Sequence, residues 1–173
     1  MLPLKGQYSD VSIRNPSLTH HMSKSIRTII VYLTIATVLT ACGSPANQES
    51  AIRSVLEKQV EAWNNADLEA FMETYVKSED LRFSSGGAVR RGWEDTKRRY
   101  YESYPSKEAM GRLEFEELAI KTLSSRWAEV HGRYRLFREG EYGNATGLFT
   151  ILMENTPGGW KILHDHTSAA PTE

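Results

Sequence analysis

The segment GGWKILHDHTS, residues 158–168, predicts the last strand of this 173-residue chain. The faces of this strand decide which side chains we expect inside the fold. Asn155, Thr156 and Pro157 precede it, and together with the two glycines they are typical of a tight turn. From Trp160 onward we expect the side chains to alternate between the two faces of a strand. One face would then carry Trp160, Ile162, His164, His166 and Ser168, and the other Lys161, Leu163, Asp165 and Thr167. Because Trp and Ile mark the first face as buried, we expect both histidines there and Asp165 pointing away.

A buried imidazole needs a hydrogen-bond partner or a chemical role. His166 and His164 are therefore the candidate catalytic residues, since a His in an apolar pocket suits general acid–base chemistry. A structural alternative remains for His166, which with Ser168 would close a hydrogen-bond network at the end of the sheet. Two imidazoles on one strand face also suit a metal, but no third ligand accompanies them and His131 is predicted to face outward. We expect no metal and no cofactor.

The composition is that of an ordinary globular protein, with 40% hydrophobic residues and 21 Lys+Arg against 22 Asp+Glu. No basic block is present, so we expect no nucleic-acid partner. The pairs Arg90-Arg91 and Arg98-Arg99 are predicted to be solvated surface, with an anionic ligand as the alternative. Cys42 is the only cysteine, which excludes an internal disulfide.

An apolar run over residues 29–41 follows Lys24 and Arg27. Since a membrane-spanning helix needs about 20 apolar residues, this shorter run is typical of a signal peptide, with an uncleaved anchor as the alternative. Leu39-Thr40-Ala41-Cys42 resembles the lipobox of bacterial lipoproteins, in which the Cys is lipidated and becomes the new N-terminus. The resemblance implies membrane attachment through the lipid only, on the periplasmic face of the outer membrane, because Gly43-Ser44 lacks the Asp of inner-membrane lipoproteins.

Five segments follow from these observations. Residues 1–21 are an over-extended start, with translation beginning at Met22, or else a disordered leader. Residues 22–41 are the signal peptide, residues 42–48 are the lipidated Cys and its tether, residues 49–169 are the folded domain, and residues 170–173 are a tail.

The domain is predicted to be α+β with the element order ααββαββββ. Helices are expected over residues 49–64, from Asp67 through Tyr75, and over residues 93–104. Strands are expected over residues 81–85, 88–91, 112–123, 127–138 and 146–154, before the last one. An irregularity is expected near Glu116-Glu117, where the alternation breaks. The strand at residues 146–154 is apolar on both faces, which predicts a central position or a covering partner.

WNNADLEAF at residues 63–71, Tyr75, Gly92 and GWKILHDHTS at residues 159–168 resemble the SnoaL-like, nuclear transport factor 2-like superfamily. The similarity is greatest to an uncharacterised branch that ends in Trp-Lys-Ile-x-His-x-His-x-Ser. It implies a cone-shaped, cystatin-like fold in which three helices pack on a curved mixed or antiparallel sheet. It also implies a pocket inside the cone and a homodimer across the outer face of the sheet.

The resemblance implies a fold more specifically than a function, since the superfamily includes isomerases, cyclases, hydrolases, dehydratases and binding proteins. Its steroid isomerases carry a carboxylate on the first strand after the second helix, and residues 81–85 contain no acid. Three hypotheses remain: a tethered protein that binds a small, largely apolar molecule; a lyase, isomerase or hydrolase with a pocket His; and a dimeric interaction module. The expected pocket residues are Trp63, Phe71, Tyr75, Tyr104, Trp160, His164 and His166.

Overall fold

The computed structural model describes residues 44–171. The predicted leader, signal peptide and Cys42 lie outside the described residues. Helix α1 (Pro45–Asn64) begins four residues earlier than predicted. The hydroxyl of Ser44 accepts a hydrogen bond from the Asn47 amide at 3.4 Å, and Pro45 occupies the first helical position, where a missing N–H costs no hydrogen bond. The last residues of the predicted tether are therefore helical.

Three shorter helices follow α1. Helix α2 (Leu68–Met72) is capped by Asp67, whose carboxylate accepts from the Ala70 amide at 2.9 Å. Helix α3 (Trp93–Ser103) begins after Gly92, which has a φ of 83°. Helix α4 (Lys107–Met110), which the sequence analysis did not predict, is capped by Ser106. It contacts α1: the indole of Trp63, in α1, donates a hydrogen bond to the carbonyl of Met110, in α4, at 3.1 Å.

Six strands form one sheet in the order β2-β1-β6-β5-β4-β3. They are β1 (Arg82–Ser85), β2 (Ala88–Arg91), β3 (Arg112–Thr122), β4 (Trp127–Phe137), β5 (Ala145–Thr156) and β6 (Gly159–Ala169). A short 3₁₀ helix (Gly140–Tyr142) separates β4 from β5. Neighbouring strands are antiparallel except β1 and β6, which are parallel, so the sheet is mixed. The α+β fold class is confirmed, with α4 added to the predicted order.

The inner face of the sheet packs against the helices and forms the core. From α1 it receives Ile52, Leu56, Ala62 and Trp63, and from the central strands Val130, Ile151, Met153 and Ile162. The irregularity predicted in β3 is confirmed: its pairing with β4 shifts between Glu116 and Ala119, and Glu117 has a φ of 54°. This bulge keeps apolar side chains on the inner face at both ends of β3.

A second bulge, in β6, overturns the predicted strand faces. Ile162 pairs with Met153, but the next paired residue is His164, opposite Leu152, so Leu163 is an extra residue. An extra residue inverts the alternation beyond it. Trp160 and Ile162 face the core as predicted, but Asp165 is buried and His166 is exposed. The prediction that the two histidines face inward and Asp165 outward is wrong.

The segment after α2 meets β6 immediately before this bulge. Tyr75 forms an isolated parallel bridge with Ile162, the Ile162 amide donates to the Thr74 carbonyl, and the Val76 amide donates to the Ile162 carbonyl, both at 2.9 Å. The bridge places Tyr75 beside the part of β6 where the alternation has just inverted, and that position brings its side chain to Asp165.

Candidate ligand-binding cavity

A cavity of about 400 Å³ lies between the helices and the inner face of the sheet. Its size falls within the range of about 300–1,000 Å³ that is usual for small-molecule sites. Nine of its 23 lining residues are aromatic, namely Trp63, Phe71, Tyr75, Phe83, Tyr100, Tyr104, Phe115, Tyr134 and Phe149.

The aromatic wall is organised around Trp63 at the end of α1. Its ring centroid lies 4.7 Å from that of Tyr104 and 5.1 Å from that of Phe71, both in edge-to-face geometry. Tyr100 continues the cluster, with its centroid 5.0 Å from that of Phe71. Such contacts restrict each ring to one orientation, so the wall is largely preformed.

Asp165 is the one carboxylate in the cavity wall, and its side chain is 7% exposed. Its Oδ2 accepts a hydrogen bond from the Tyr75 hydroxyl at 2.8 Å, and that hydroxyl lies 3.3 Å from the Tyr100 hydroxyl. Its Oδ1 is buried without a hydrogen-bond partner among residues 44–171. A buried carboxylate oxygen without a donor is unfavourable, so Asp165 has unused capacity for one hydrogen bond.

Burial raises the pKa of Asp165 from 3.8 to about 6, and the hydrogen bond from Tyr75 opposes that rise. Burial, together with the nearby Asp165 carboxylate, also raises the pKa values of Tyr75 and Tyr100 well above the usual value for Tyr. Both phenols therefore stay protonated near neutral pH and can donate. The group in this cavity whose charge changes close to neutrality is the carboxyl of Asp165.

Three arginines also line the cavity: Arg90 on β2, Arg99 on α3, and Arg138 after β4. Arg90 and Arg99 are exposed and Arg138 is half-buried, so they lie nearer the solvent than Asp165 does. Arg99 donates to the Ser103 hydroxyl, and the Nε of Arg138 donates to the Gly143 carbonyl at 2.8 Å. We call these three residues the arginine rim.

Four of the seven predicted pocket residues lie in the cavity wall, namely Trp63, Phe71, Tyr75 and Tyr104. Trp160 is 5% exposed and belongs to the core, away from this cavity. His164 and His166 lie on the outer face of the sheet because of the β6 bulge. The catalytic role predicted for the two histidines required them to lie inside the pocket, and they do not.

The outer-face histidines have partners of their own. The Nε2 of His164 lies 3.5 Å from the Ser84 hydroxyl, and burial, His166 and Arg82 lower the His164 pKa in that order. His166 lies opposite Thr150 of β5 in the strand register, and the Thr150 hydroxyl lies 3.0 Å from Nδ1 of His131. His131 faces outward as predicted.

The sequence analysis missed Asp165 and Tyr100 as site residues. It predicted Arg90 and Arg99 as solvated surface, with an anionic ligand as the alternative, and made no prediction for Arg138. Tyr100 carried a usable signal, since it shares a helical face with Tyr104. Nothing in the sequence indicates that Asp165 is a site residue, because an unbroken alternation of side chains along β6 places Asp165 on the outer face.

No group of three His, Cys, Asp or Glu side chains within residues 44–171 is arranged to hold a metal ion. In the same range, no helix combines the length and the apolar character needed to cross a membrane.

The sequence matches the family model of the SnoaL-like domain over residues 52–173. The chain belongs to the SnoaL-like family. A similar solved structure is that of a nuclear transport factor 2-like protein of unknown function from Shewanella oneidensis, which is 40% identical with a TM-score of 0.65. The match covers 69% of this chain and 98% of that one.

More distant structures share the SnoaL-like fold alone. A cystatin-like domain of unknown function from Nostoc punctiforme is 21% identical over 75% of this chain and 81% of its own, with a TM-score of 0.61. A ketosteroid isomerase-like protein from Erwinia carotovora atroseptica is 18% identical over 71% and 96%, with a TM-score of 0.56. No curated protein sequence matches the chain.

Proposed function

We propose that this SnoaL-like domain binds a small, largely apolar molecule inside its cone. The observation that carries the proposal is the Oδ1 of Asp165, a buried oxygen in the cavity wall that has no hydrogen-bond partner among residues 44–171. A ligand with one hydrogen-bond donor would satisfy that oxygen, and its apolar body would lie against the rings of Trp63, Phe71 and Tyr100.

A neutral fluorescent probe tests this proposal without knowledge of the natural ligand. N-Phenyl-1-naphthylamine is apolar, has a single N–H and is small enough for the cavity. We expect one probe molecule per chain, with an emission increase on binding. Ala145→Phe, which adds a ring in the cavity wall, should weaken binding by about tenfold, or about 1.4 kcal/mol.

Ala119→Phe is the matched control, since Ala119 is an exposed residue of β3 that does not line the cavity. It should leave the affinity for the probe unchanged. Equal binding by the parent and both variants would place the probe elsewhere and contradict the proposal.

A second candidate function, proton transfer, is favoured by the pKa of Asp165, which lies at about 6. A general base works best with a pKa close to the working pH. An Asp165 carboxylate would take a proton from carbon next to a carbonyl group and return it at the same or another carbon. This carboxyl replaces the pocket histidine of the sequence-based hypothesis, and it belongs to β6, whereas β1 carries no acid.

Solvent exchange into an enolisable ketone tests the second candidate. In deuterated buffer we expect the parent protein to accelerate loss of the α-protons of 2-tetralone, measured by NMR, with a rate that rises as pH passes about 6. Asp165→Asn should abolish that acceleration while the variant still binds N-phenyl-1-naphthylamine. No acceleration by the parent would leave binding alone as the proposed function.

We further propose that the protein is exported and anchored by a lipid on Cys42 to the periplasmic face of the outer membrane. The support is the Leu39-Thr40-Ala41-Cys42 sequence after a short, basic-flanked apolar run. Cys42→Ser should release the protein from the membrane fraction, and a chain that begins at Met22 should be exported as well as the full chain. Membrane retention of the Cys42→Ser variant would contradict the anchor, and export that requires residues 1–21 would contradict the start at Met22.

A further inference from the structure

Within residues 44–171, the three members of the arginine rim line the cavity and form no ion pair with an acidic side chain. Within residues 44–171, six other arginines form ion pairs with Asp or Glu: Arg53, Arg98, Arg112, Arg126, Arg133 and Arg135. None of the three rim arginines does so in the same range. The three arginines that line the cavity therefore retain positive charge that the described residues do not neutralise.

The field of the rim reaches the cavity wall. Burial raises the pKa of Tyr104, and the charges of Arg138 and then Arg99 act against that rise. Burial and Tyr104 likewise raise the pKa of Tyr134, and Arg138 opposes them. Tyr104 lines the same cavity as both arginines, and their positive charges favour negative charge at its hydroxyl. That hydroxyl makes no hydrogen bond within residues 44–171, so it is free to donate to a ligand.

The two ends of the cavity thus carry charged groups of opposite sign. The buried end holds the Asp165 carboxyl, which repels an anion when ionised, while the solvent-facing end holds three guanidinium groups. A molecule that enters with an anionic head would therefore keep that head at the rim and place its apolar body among the aromatic rings. Arg binds planar oxyanions such as carboxylates through paired N–H donors, which favours this class of head group.

We propose that the ligand is an amphipathic carboxylate whose carboxylate is held by Arg99, Arg138 and the Tyr104 hydroxyl. Its apolar body lies in the aromatic cavity, and a hydrogen-bond donor at its far end meets Asp165. This inference rests on the proposed binding function and adds the class of ligand. Arg90 contributes charge at the entrance from the other side, on the β1–β2 hairpin.

An isosteric pair of probes separates charge from apolar fit. 2-Naphthoate and 2-naphthamide have nearly the same shape, but only the first carries a charge at neutral pH. Each is titrated against the protein bound to N-phenyl-1-naphthylamine, and its affinity is taken from displacement of the fluorescence. We expect 2-naphthoate to bind about tenfold more tightly than 2-naphthamide, with an advantage that shrinks as salt is added.

Substitutions in the rim should remove that advantage. In the Arg99→Gln/Arg138→Gln double variant, the affinity for 2-naphthoate should fall by about tenfold and that for 2-naphthamide far less. Arg91→Gln, at an exposed arginine of β2 that does not line the cavity, is the matched control and should keep the preference. If the double variant does not fold, each single Gln variant is measured, and each should lose part of the preference.

The failure of this inference is distinct from the failure of the proposed function. Displacement by both naphthalenes with equal affinity, or an equal loss for both in the rim variants, would leave a binding cavity but overturn the carboxylate assignment. Failure of all three probes to bind would overturn the binding function itself.

Discussion

The Tyr75 hydroxyl donates to Oδ2 of Asp165 at 2.8 Å across 90 residues of sequence, inside an aromatic cavity. Two backbone features produce this contact. The bridge between Tyr75 and Ile162 sets the position of the phenol, and the extra residue Leu163 turns Asp165 inward. The pair is the polar group at the buried end of a cavity with many aromatic side chains, so the chemistry at that end depends on it.

The raised pKa of Asp165 predicts a specific dependence of stability on pH. Its value is about 6 in the folded chain against 3.8 for the free side chain. A raised folded pKa means that the contribution to stability is fully present below about pH 4 and is lost as pH rises to about 6, because the unfolded chain ionises first. The loss amounts to roughly 3 kcal/mol. We expect the free energy of unfolding of Asp165→Asn, relative to the parent, to increase by that amount between pH 4 and pH 7.

Denaturant unfolding at several pH values measures this difference. Asp80→Asn, at an exposed carboxyl outside the cavity, controls for the general effect of removing one acid. A constant difference between Asp165→Asn and the parent across pH 4 to 7 would show that Asp165 titrates normally and would contradict the prediction.

Removing the Tyr75 hydroxyl should raise the pKa of Asp165 further. The hydrogen bond from Tyr75 stabilises the ionised carboxylate, so Tyr75→Phe leaves the charged form with less support. The variant should also lose about 1–3 kcal/mol of stability at neutral pH, because a buried polar group loses its partner. Titration of the carboxyl carbon of Asp165 by NMR measures the pKa directly.

Tyr101→Phe is the control for the loss of a phenol hydroxyl, since Tyr101 is exposed and donates to Glu69 at 2.8 Å. It should leave the Asp165 titration where it is in the parent. An unchanged or lowered Asp165 pKa in Tyr75→Phe would show that the hydrogen bond does not act on the carboxylate.

Gly132 on β4 has no side chain, and the ring of Phe149 in the cavity wall occupies the space where one would lie. A Cβ at this position would lie 2.5 Å from Cζ of Phe149 and 2.9 Å from Cδ2 of Leu118. We expect Gly132→Ala to displace the Phe149 ring, to destabilise the protein by about 1–3 kcal/mol and to weaken binding of N-phenyl-1-naphthylamine. Gly158→Ala is the matched control, because a Cβ there meets only the Thr156 hydroxyl, at 3.6 Å.

Urea unfolding of the two glycine variants gives the comparison. Similar small losses in both would show that the core around Phe149 relaxes around an extra methyl group, and the assigned role of Gly132 would then be wrong.

Hydrophobic periodicity and turn residues predicted the α+β element order because they are local properties, and the resemblance of the sequence motifs predicted the family. The cavity aromatics Trp63, Phe71 and Tyr75 followed from the helical spacing and the resemblance. The polar site did not follow, since its geometry depends on Leu163, an ordinary leucine within a strand. Nothing in the side chain of Leu163 marks a bulge, and pairing of β6 with β5 on one side and with Tyr75 and β1 on the other is a tertiary property.

The exposed apolar side chains on the outer face of the sheet predict a homodimer. The inner side chains of β5, including Phe149, Ile151 and Met153, fill the core, so the apolar side chains Leu148 and Leu152 are left on its outer face. Leu148 is 50% exposed, and pairing of two such faces would bury it. Leu148→Glu should therefore convert a dimer of the chain from Gly43 onward into a monomer, measured by light scattering at micromolar concentration. Leu123→Glu, at a similarly exposed leucine just after β3, should leave the dimer intact. A parent protein that is already monomeric under these conditions would contradict the prediction, and a Leu148→Glu variant that stays dimeric would place the interface elsewhere.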